Sequence, residues 1–141
     1  MIDNNKITKF LEANSICSLS IVPIKQDASN RRYFRINNKN ILLMDSPSTN
    51  NNNYEFIKIA EYLNTIGLSA PEIIKKDHIN GLFLIEDFGN LTFNEAIKNN
   101  ISEELLYKNA VQCLSKIHKS DNPKNLPIYN NKYLLAELSL F

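Results

Sequence analysis

The run Asp27-Ala28-Ser29-Asn30-Arg31-Arg32-Tyr33-Phe34-Arg35 concentrates the side chains best suited to gripping an anion. A polar tip between two strand-like segments bends sharply. It then offers backbone N–H groups, the Ser29 hydroxyl and guanidinium forks to phosphate oxygens. On the strand that follows, alternation puts Arg31, Tyr33 and Arg35 on one side and Arg32, Phe34 and Ile36 on the other. An ordinary basic edge strand, its arginines serving solubility, has the same composition, and the loop contains no glycine. Residue types by themselves leave both readings open.

Other chemistries find less support. The formal net charge of +1 gives no global field to draw nucleic acid or an anionic membrane, so any basic function must be local to Arg31, Arg32 and Arg35. An RNA surface is disfavoured because Tyr33 and Phe34 fall on opposite faces and no second basic stripe accompanies them. Cys17 and Cys113 are too few and too far apart for a disulfide framework or a zinc site, and are expected to be reduced, structural thiols. Residues 1–15 lack the continuous apolar stretch of a signal peptide or membrane span, which points to the cytoplasm. At 141 residues and 43% hydrophobic content the chain can bury one core and is too short for two ordinary domains.

The elements that must position the arginine run follow from periodicity. Asp3 is placed to cap a short helix carrying Ile7, Phe10 and Leu11, ending near Asn14 and Ser15. Strands are predicted over Cys17 to Ile24, Arg31 to Ile36 and Asn40 to Asp45, with Asn37, Asn38 and Lys39 as a turn. Asn50 to Asn53 reads as a polar linker. Ile57, Ala60, Leu63 and Ile66 then recur at helical spacing, with Gly67 at the left-handed C′ position and Pro71 beyond. Ile73 to His78 and Leu82 to Asp87 flank Asn80-Gly81, a pair suited to a type I′ hairpin turn. Past Gly89 helices take over. Thr92 and Glu95 fit a capping box, and a longer helix starts at Ser102 with a buried face of Leu106, Ala110, Cys113, Leu114 and Ile117. A last helix is predicted over Asn131 to Phe141.

The segments DASNRRYFR, LLMDSP, GLSAPEII and LFLIEDFGNLTF, in this order, resemble the aminoglycoside phosphotransferase family. Within it they are most similar to the bacterial sugar kinases that phosphorylate the anomeric hydroxyl of N-acetylmuramate and N-acetylglucosamine. The resemblance covers essentially the whole chain but only the first part of a family member. It implies an α+β fold: a protein-kinase-like small lobe of about five antiparallel strands with one inserted helix over residues 1–89, then the first helices of the large lobe over 90–141. It implies further that Asp27, Ala28, Ser29, Asn30, Arg31 and Arg32 form the loop over the phosphates of ATP, with Ser29 and backbone amides nearest. Glu86, Asp87 and Phe88 would be the hinge whose backbone reads adenine. A buried strand ending in a polar turn is equally compatible with the hinge segment by itself.

Kinases usually carry a lysine on the third strand that pairs nucleotide phosphates and a helix glutamate. The corresponding segment here is Leu43-Met44-Asp45-Ser46-Pro47, so Arg31 or Arg32 would supply the missing charge. Glu55 stands near the helix-glutamate position, where a helix-start acid also explains it. The catalytic Asp and the metal-binding Asp and Asn that the resemblance requires have no match. His118-Lys119-Ser120-Asp121-Asn122-Pro123-Lys124-Asn125 imitates the outline of a catalytic loop but has Ser120 in place of the base. No catalytic residue and no magnesium ligand is therefore assigned, although ATP and magnesium are the cofactors the family implies. The expectation is an ATP-binding portion, inactive alone, that needs a separate chain carrying the catalytic lobe before a sugar can be phosphorylated. The alternative is a noncatalytic nucleotide- or protein-binding module left by a split or decayed kinase gene. Neither reading involves nucleic acid or a membrane.

Overall fold

The computed structural model describes residues 4–25, 30–46, 52–123, 126 and 128–139. Helix α1 (Asn4–Ala13) is followed by a 3-10 turn (Ser18–Ser20) and strands β1 (Ile21–Pro23), β2 (Arg32–Ile36) and β3 (Ile41–Asp45). Helix α2 (Asn52–Thr65), strands β4 (Ile73–Asp77) and β5 (Leu82–Glu86), and helices α3 (Phe93–Lys98), α4 (Glu103–Lys119) and α5 (Asn131–Leu138) complete the order. The strands form one antiparallel five-stranded sheet in the order β1-β2-β3-β5-β4. This is the α+β architecture of a kinase-like small lobe followed by helices of a large lobe.

Both faces of the sheet are covered. On one, Ile7 and Leu11 of α1 pack with Ile16, Phe34, Ile36, Leu43, Leu82 and Leu84. On the other, Ile57 of α2 packs with Met44, Phe83 and Ile85, joined by Tyr33, Leu42 and Phe56. That double cover explains why β5 is apolar at successive positions rather than alternating.

Each helix that covers the sheet ends through a local hydrogen-bond motif. At the end of α2 the Leu68 N–H bonds the Leu63 carbonyl and the Gly67 N–H that of Asn64, with Gly67 at φ 71°. This is a Schellman cap, in which glycine takes the left-handed position without a Cβ clash. The Asn64 side chain then bonds both the N–H and the carbonyl of Ala70, at 3.0 Å each, steering the chain into β4. Helix α1 ends the same way, with Ser15 at φ 58° and the Ile16 N–H on the Leu11 carbonyl.

Several expectations need correction. The strand predicted over Cys17 to Ile24 is a 3-10 turn and only a short edge strand, because the N–H and the hydroxyl of Ser20 both bond the Cys17 carbonyl. The Asn80-Gly81 connection is not a two-residue type I′ turn: residues 78–81 connect the paired Asp77 and Leu82, and of Asn80 and Gly81 only Gly81 has positive φ. The Asp77 carboxylate organises it instead, accepting from the Asn80 N–H at 3.0 Å and its side-chain amide at 2.7 Å. Asn52 and Asn53 belong to the first turn of α2 rather than to a linker, and Asn53 is buried against Ser46. Asp3, Asn50, Asn51 and Phe141 lie outside the described residues.

In α4 the predicted capping residues act: Ser102 accepts from the Leu105 N–H, and in α3 Thr92 accepts from the Glu95 N–H. The Glu95 carboxylate goes to Lys98 rather than back to Thr92, leaving half a capping box. The apolar face of α4 is not buried. Leu106, Ala110 and Ile117 are half-buried, whereas Cys113 and Leu114 are exposed. An amphipathic stripe records what a helix can bury, and here no described element covers it. Cys17 and Cys113 are free as expected, but both are exposed rather than structural.

Candidate functional site

The structure divides the arginine run between the two faces of the sheet. Arg31 lies over the Phe56 ring of α2, 5.0 Å from its centroid. Arg32 lies on the α1 side, where its guanidinium pairs with the buried carboxylate of Asp45, the residue opposite it on β3. Lys6 of α1 completes that group, donating to Asp45 Oδ1 at 2.8 Å and to the Asn80 carbonyl at 3.1 Å. A carboxylate is thus enclosed by two cations at the end of β3. Asp45 being 3% exposed, it needs both, since a buried charge without compensating partners is expensive. The adjacent Ser46 is fully buried; its N–H meets the Gly81 carbonyl at 2.8 Å and its hydroxyl meets Asn53 Oδ1 at 2.7 Å. Asp27, Ala28 and Ser29 lie outside the described residues, while Asn30 is exposed and precedes the half-buried Arg31 and Arg32.

Arg35, on the same face as Tyr33, reaches the opposite end of the sheet. Its Nε and one terminal nitrogen fork onto the Asp87 carboxylate at 2.5 Å and 3.0 Å, and its other terminal nitrogen donates to Asn90 Oδ1 at 2.8 Å. The Gly89 N–H adds a further bond to Asp87 Oδ1 at 2.7 Å. Hydrogen bonding from Arg35, helped by Gly89 and opposed by burial, lowers the Asp87 pKa from the ordinary carboxylate value. The same bond raises that of Arg35. At the predicted hinge, the Glu86 N–H bonds the Glu72 carbonyl at 2.9 Å and the Asp87 N–H bonds the Asn40 carbonyl at 3.0 Å. Phe88 is exposed, and its N–H has no acceptor among the described residues.

Glu55 sits in the first turn of α2, its Oε2 buried without a hydrogen-bond partner among the described residues. The pseudo-catalytic segment starts in the last turn of α4: His118 is exposed, and Ser120 is the C-cap, its hydroxyl donating to the Lys116 carbonyl at 2.8 Å. Lys124 and Asn125 lie outside the described residues. Among the described residues no group of three or more His, Cys, Asp or Glu side chains could hold a metal ion. No helix among them is long and apolar enough to cross a membrane. An open groove of about 450 Å³ lies between α1 and the β4–β5 hairpin, lined by Lys6, Lys9, Phe10 and Asp77 among others, on the face away from Arg31.

Sequence reasoning missed the Lys6–Asp45 and Arg35–Asp87 pairs. Their members stand 39 and 52 positions apart, and no spacing rule joins them. The composition signal was present in the RRYFR run, but the partners follow only from strand order.

No protein-family model matches the chain. Among curated proteins it is 32% identical over 123 residues to the N-acetylmuramate/N-acetylglucosamine kinase of Pseudomonas aeruginosa, covering 86% of this chain and 36% of the relative. It is 30% identical over 124 residues to the enzyme of that name from Pseudomonas putida, with the same coverage, and 37% identical over 71 residues to that of Caulobacter vibrioides. The chain therefore spans about a third of the length of the Pseudomonas relatives it matches. Sheet order, inserted helix and sequence identity agree: the chain is homologous to the N-terminal part of the bacterial N-acetylmuramate/N-acetylglucosamine kinases of the aminoglycoside phosphotransferase family.

Proposed function

We propose that this chain is the ATP-binding portion of an amino sugar kinase, inactive alone, with the groups that activate the acceptor hydroxyl and hold magnesium supplied by a separate catalytic lobe. The observation that carries this reading is the match to four N-acetylmuramate/N-acetylglucosamine kinases over a chain with a kinase-like small-lobe sheet. Residues 1–89 act as the nucleotide lobe and 90–141 as the start of the helical lobe, in a cytoplasmic setting where ATP is present. The loop of Asp27 to Arg32 covers the phosphates, with Ser29 and backbone amides as donors and Arg31 as the nearby cation. The Glu86–Phe88 segment meets adenine through its backbone.

Magnesium, when bound, neutralises charge on the transferring phosphoryl group. Among the described residues no group of three or more His, Cys, Asp or Glu side chains could hold it, and the part proposed for this chain is binding and orienting the nucleotide. Such positioning is a large part of phosphoryl-transfer catalysis, but by itself it moves no phosphoryl group.

A second reading, a binding module for another protein, is favoured by the exposure of Leu105, Val111 and Leu114 on α4 and of Leu134, Leu135 and Leu138 on α5. The two readings meet if the partner is the catalytic half. Calorimetry with magnesium-ATP, on the chain alone and with the C-terminal remainder of the Pseudomonas aeruginosa relative in trans, separates them. Nucleotide binding that appears or tightens with the partner supports the kinase reading, and ATP-dependent phosphorylation of N-acetylmuramate or N-acetylglucosamine would extend it. An intact complex that binds no ATP would leave only the protein-binding module.

A further inference from the structure

Arg35 stands on β2, yet its guanidinium acts beyond β3, on the residues that follow β5. The fork onto Asp87, the third bond to Asn90 and the inward bond from Gly89 to Asp87 tie the exit of β5 at several points within a few residues. The main-chain consequence is specific. From Glu86 to Gly89 the N–H groups of residues 86, 87 and 89 have acceptors, at 2.9, 3.0 and 2.7 Å, and among the described residues the Phe88 N–H has none. Segments leaving a strand are ordinarily mobile, and a donor already held in place loses less freedom when it binds.

We propose that Arg35 is the positioning residue for nucleobase recognition: by gripping Asp87, and through it Gly89, it presents the Phe88 N–H as the single main-chain donor offered to an aromatic ring nitrogen of a purine. This rests on the reading of the Glu86–Phe88 segment as the adenine hinge and adds to it a residue that touches no part of the nucleotide. The carboxylate needs a fork of two parallel N–H groups to be fixed in plane; a lysine supplies the charge without the fork. Arg35 therefore differs in role from Arg31, which belongs to the proposed phosphate loop.

The test compares magnesium-ATP with magnesium-tripolyphosphate, which has the phosphates and no base, in whichever state of the wild-type chain binds, alone or with the partner half. Arg35→Lys and Arg35→Gln are expected to weaken ATP about tenfold, the size of one well-placed hydrogen bond, and to leave tripolyphosphate unchanged. Asn90→Ala, which removes only the outermost bond, gives a smaller loss in the same direction. ATP binding as in the wild type, or equal loss of both ligands, overturns the assignment. A measurement on the unmutated chain guards against variants that fail to fold: adenosine should shift the Phe88 amide proton resonance, and ATP binding that leaves it unmoved also overturns the proposal. A wild-type chain that binds neither ligand in either state sinks the nucleotide-lobe reading and this inference together. A wild type that binds both, with insensitive Arg35 variants, sinks this inference alone.

Discussion

Lys6 of α1 and Asp45 of β3 are 39 positions apart in the chain and 2.8 Å apart in the structure. The contact places a lysine beside the end of the third strand although that strand has none. It does so on the α1 face, with Arg32, and not on the face shared by α2 and Arg31. The pair fastens α1 to the end of β3, the central strand of the sheet, so its first role is structural.

Asp45→Ala should consequently destabilise the chain by about 2–4 kcal/mol, because it leaves two partly buried cations facing each other without their counter-charge. Lys6→Met should cost clearly less, since Arg32 still neutralises the carboxylate. Urea unfolding of both variants checks the order; equal losses would mean that Arg32 contributes nothing to holding Asp45.

Acid should release the grip of Arg35 on Asp87. The folded pKa of Asp87 lies below its unfolded value, so its contribution to stability is complete above the ordinary carboxylate pKa of about 3.9 and is lost as pH falls through the folded value. Asp77, lowered by its bonds to Asn80, behaves alike. The stability difference between wild type and Asp87→Asn is expected to be constant near neutrality and to shrink below about pH 4. Thermal unfolding across pH 2.5–7 as an approximate range reads it out.

The cap of α2 and the body of α4 should be energetically coupled. Lys116 Nζ donates to the Gly67 carbonyl at 2.9 Å, and a Cβ added at Gly67 would stand 2.9 Å from that same nitrogen. Gly67→Ala is expected to cost about 1–2 kcal/mol, chiefly from its left-handed backbone, with displacement of the flexible lysine as a lesser part. Lys116→Ala should cost about 1 kcal/mol or less. In the double variant the losses should sum to less than the two singles, because the lysine contact is removed only once.

Leu114→Glu examines the uncovered face of α4. Leu114 is 56% exposed, so the substitution should change the chain's own stability by about 0.5 kcal/mol or less. If that face receives the catalytic half, the same change should abolish complex formation in gel filtration. Undiminished assembly would place the interface elsewhere.

The features legible in the sequence were those set within a few residues of chain. The Schellman cap at Gly67, the caps at Thr92 and Ser102, the helical stripe of α2 and the alternation in β2 all depend on hydrogen bonds or side-chain spacings of two to five positions. Where a local competitor was overlooked, the reading failed. Ser20 drew the chain into a 3-10 turn, and the Asp77 carboxylate reshaped a hairpin whose Asn-Gly pair suggested a tighter one. The resemblance proposes a phosphate loop over Asp27 to Arg32 and a hinge over Glu86 to Phe88 from motif order, without recourse to contacts.

What only the tertiary structure decided is which charges meet. The arginine run reads as one basic cluster. It becomes separate arrangements because strand alternation sends Arg32 toward α1 and Arg31 toward α2, and because the order β2-β3-β5 carries Arg35 to Asp87. Periodicity reports that a face can be buried, not which element covers it. For that reason Leu11 of α1 is fully buried, whereas the equally apolar stripe of α4 remains open.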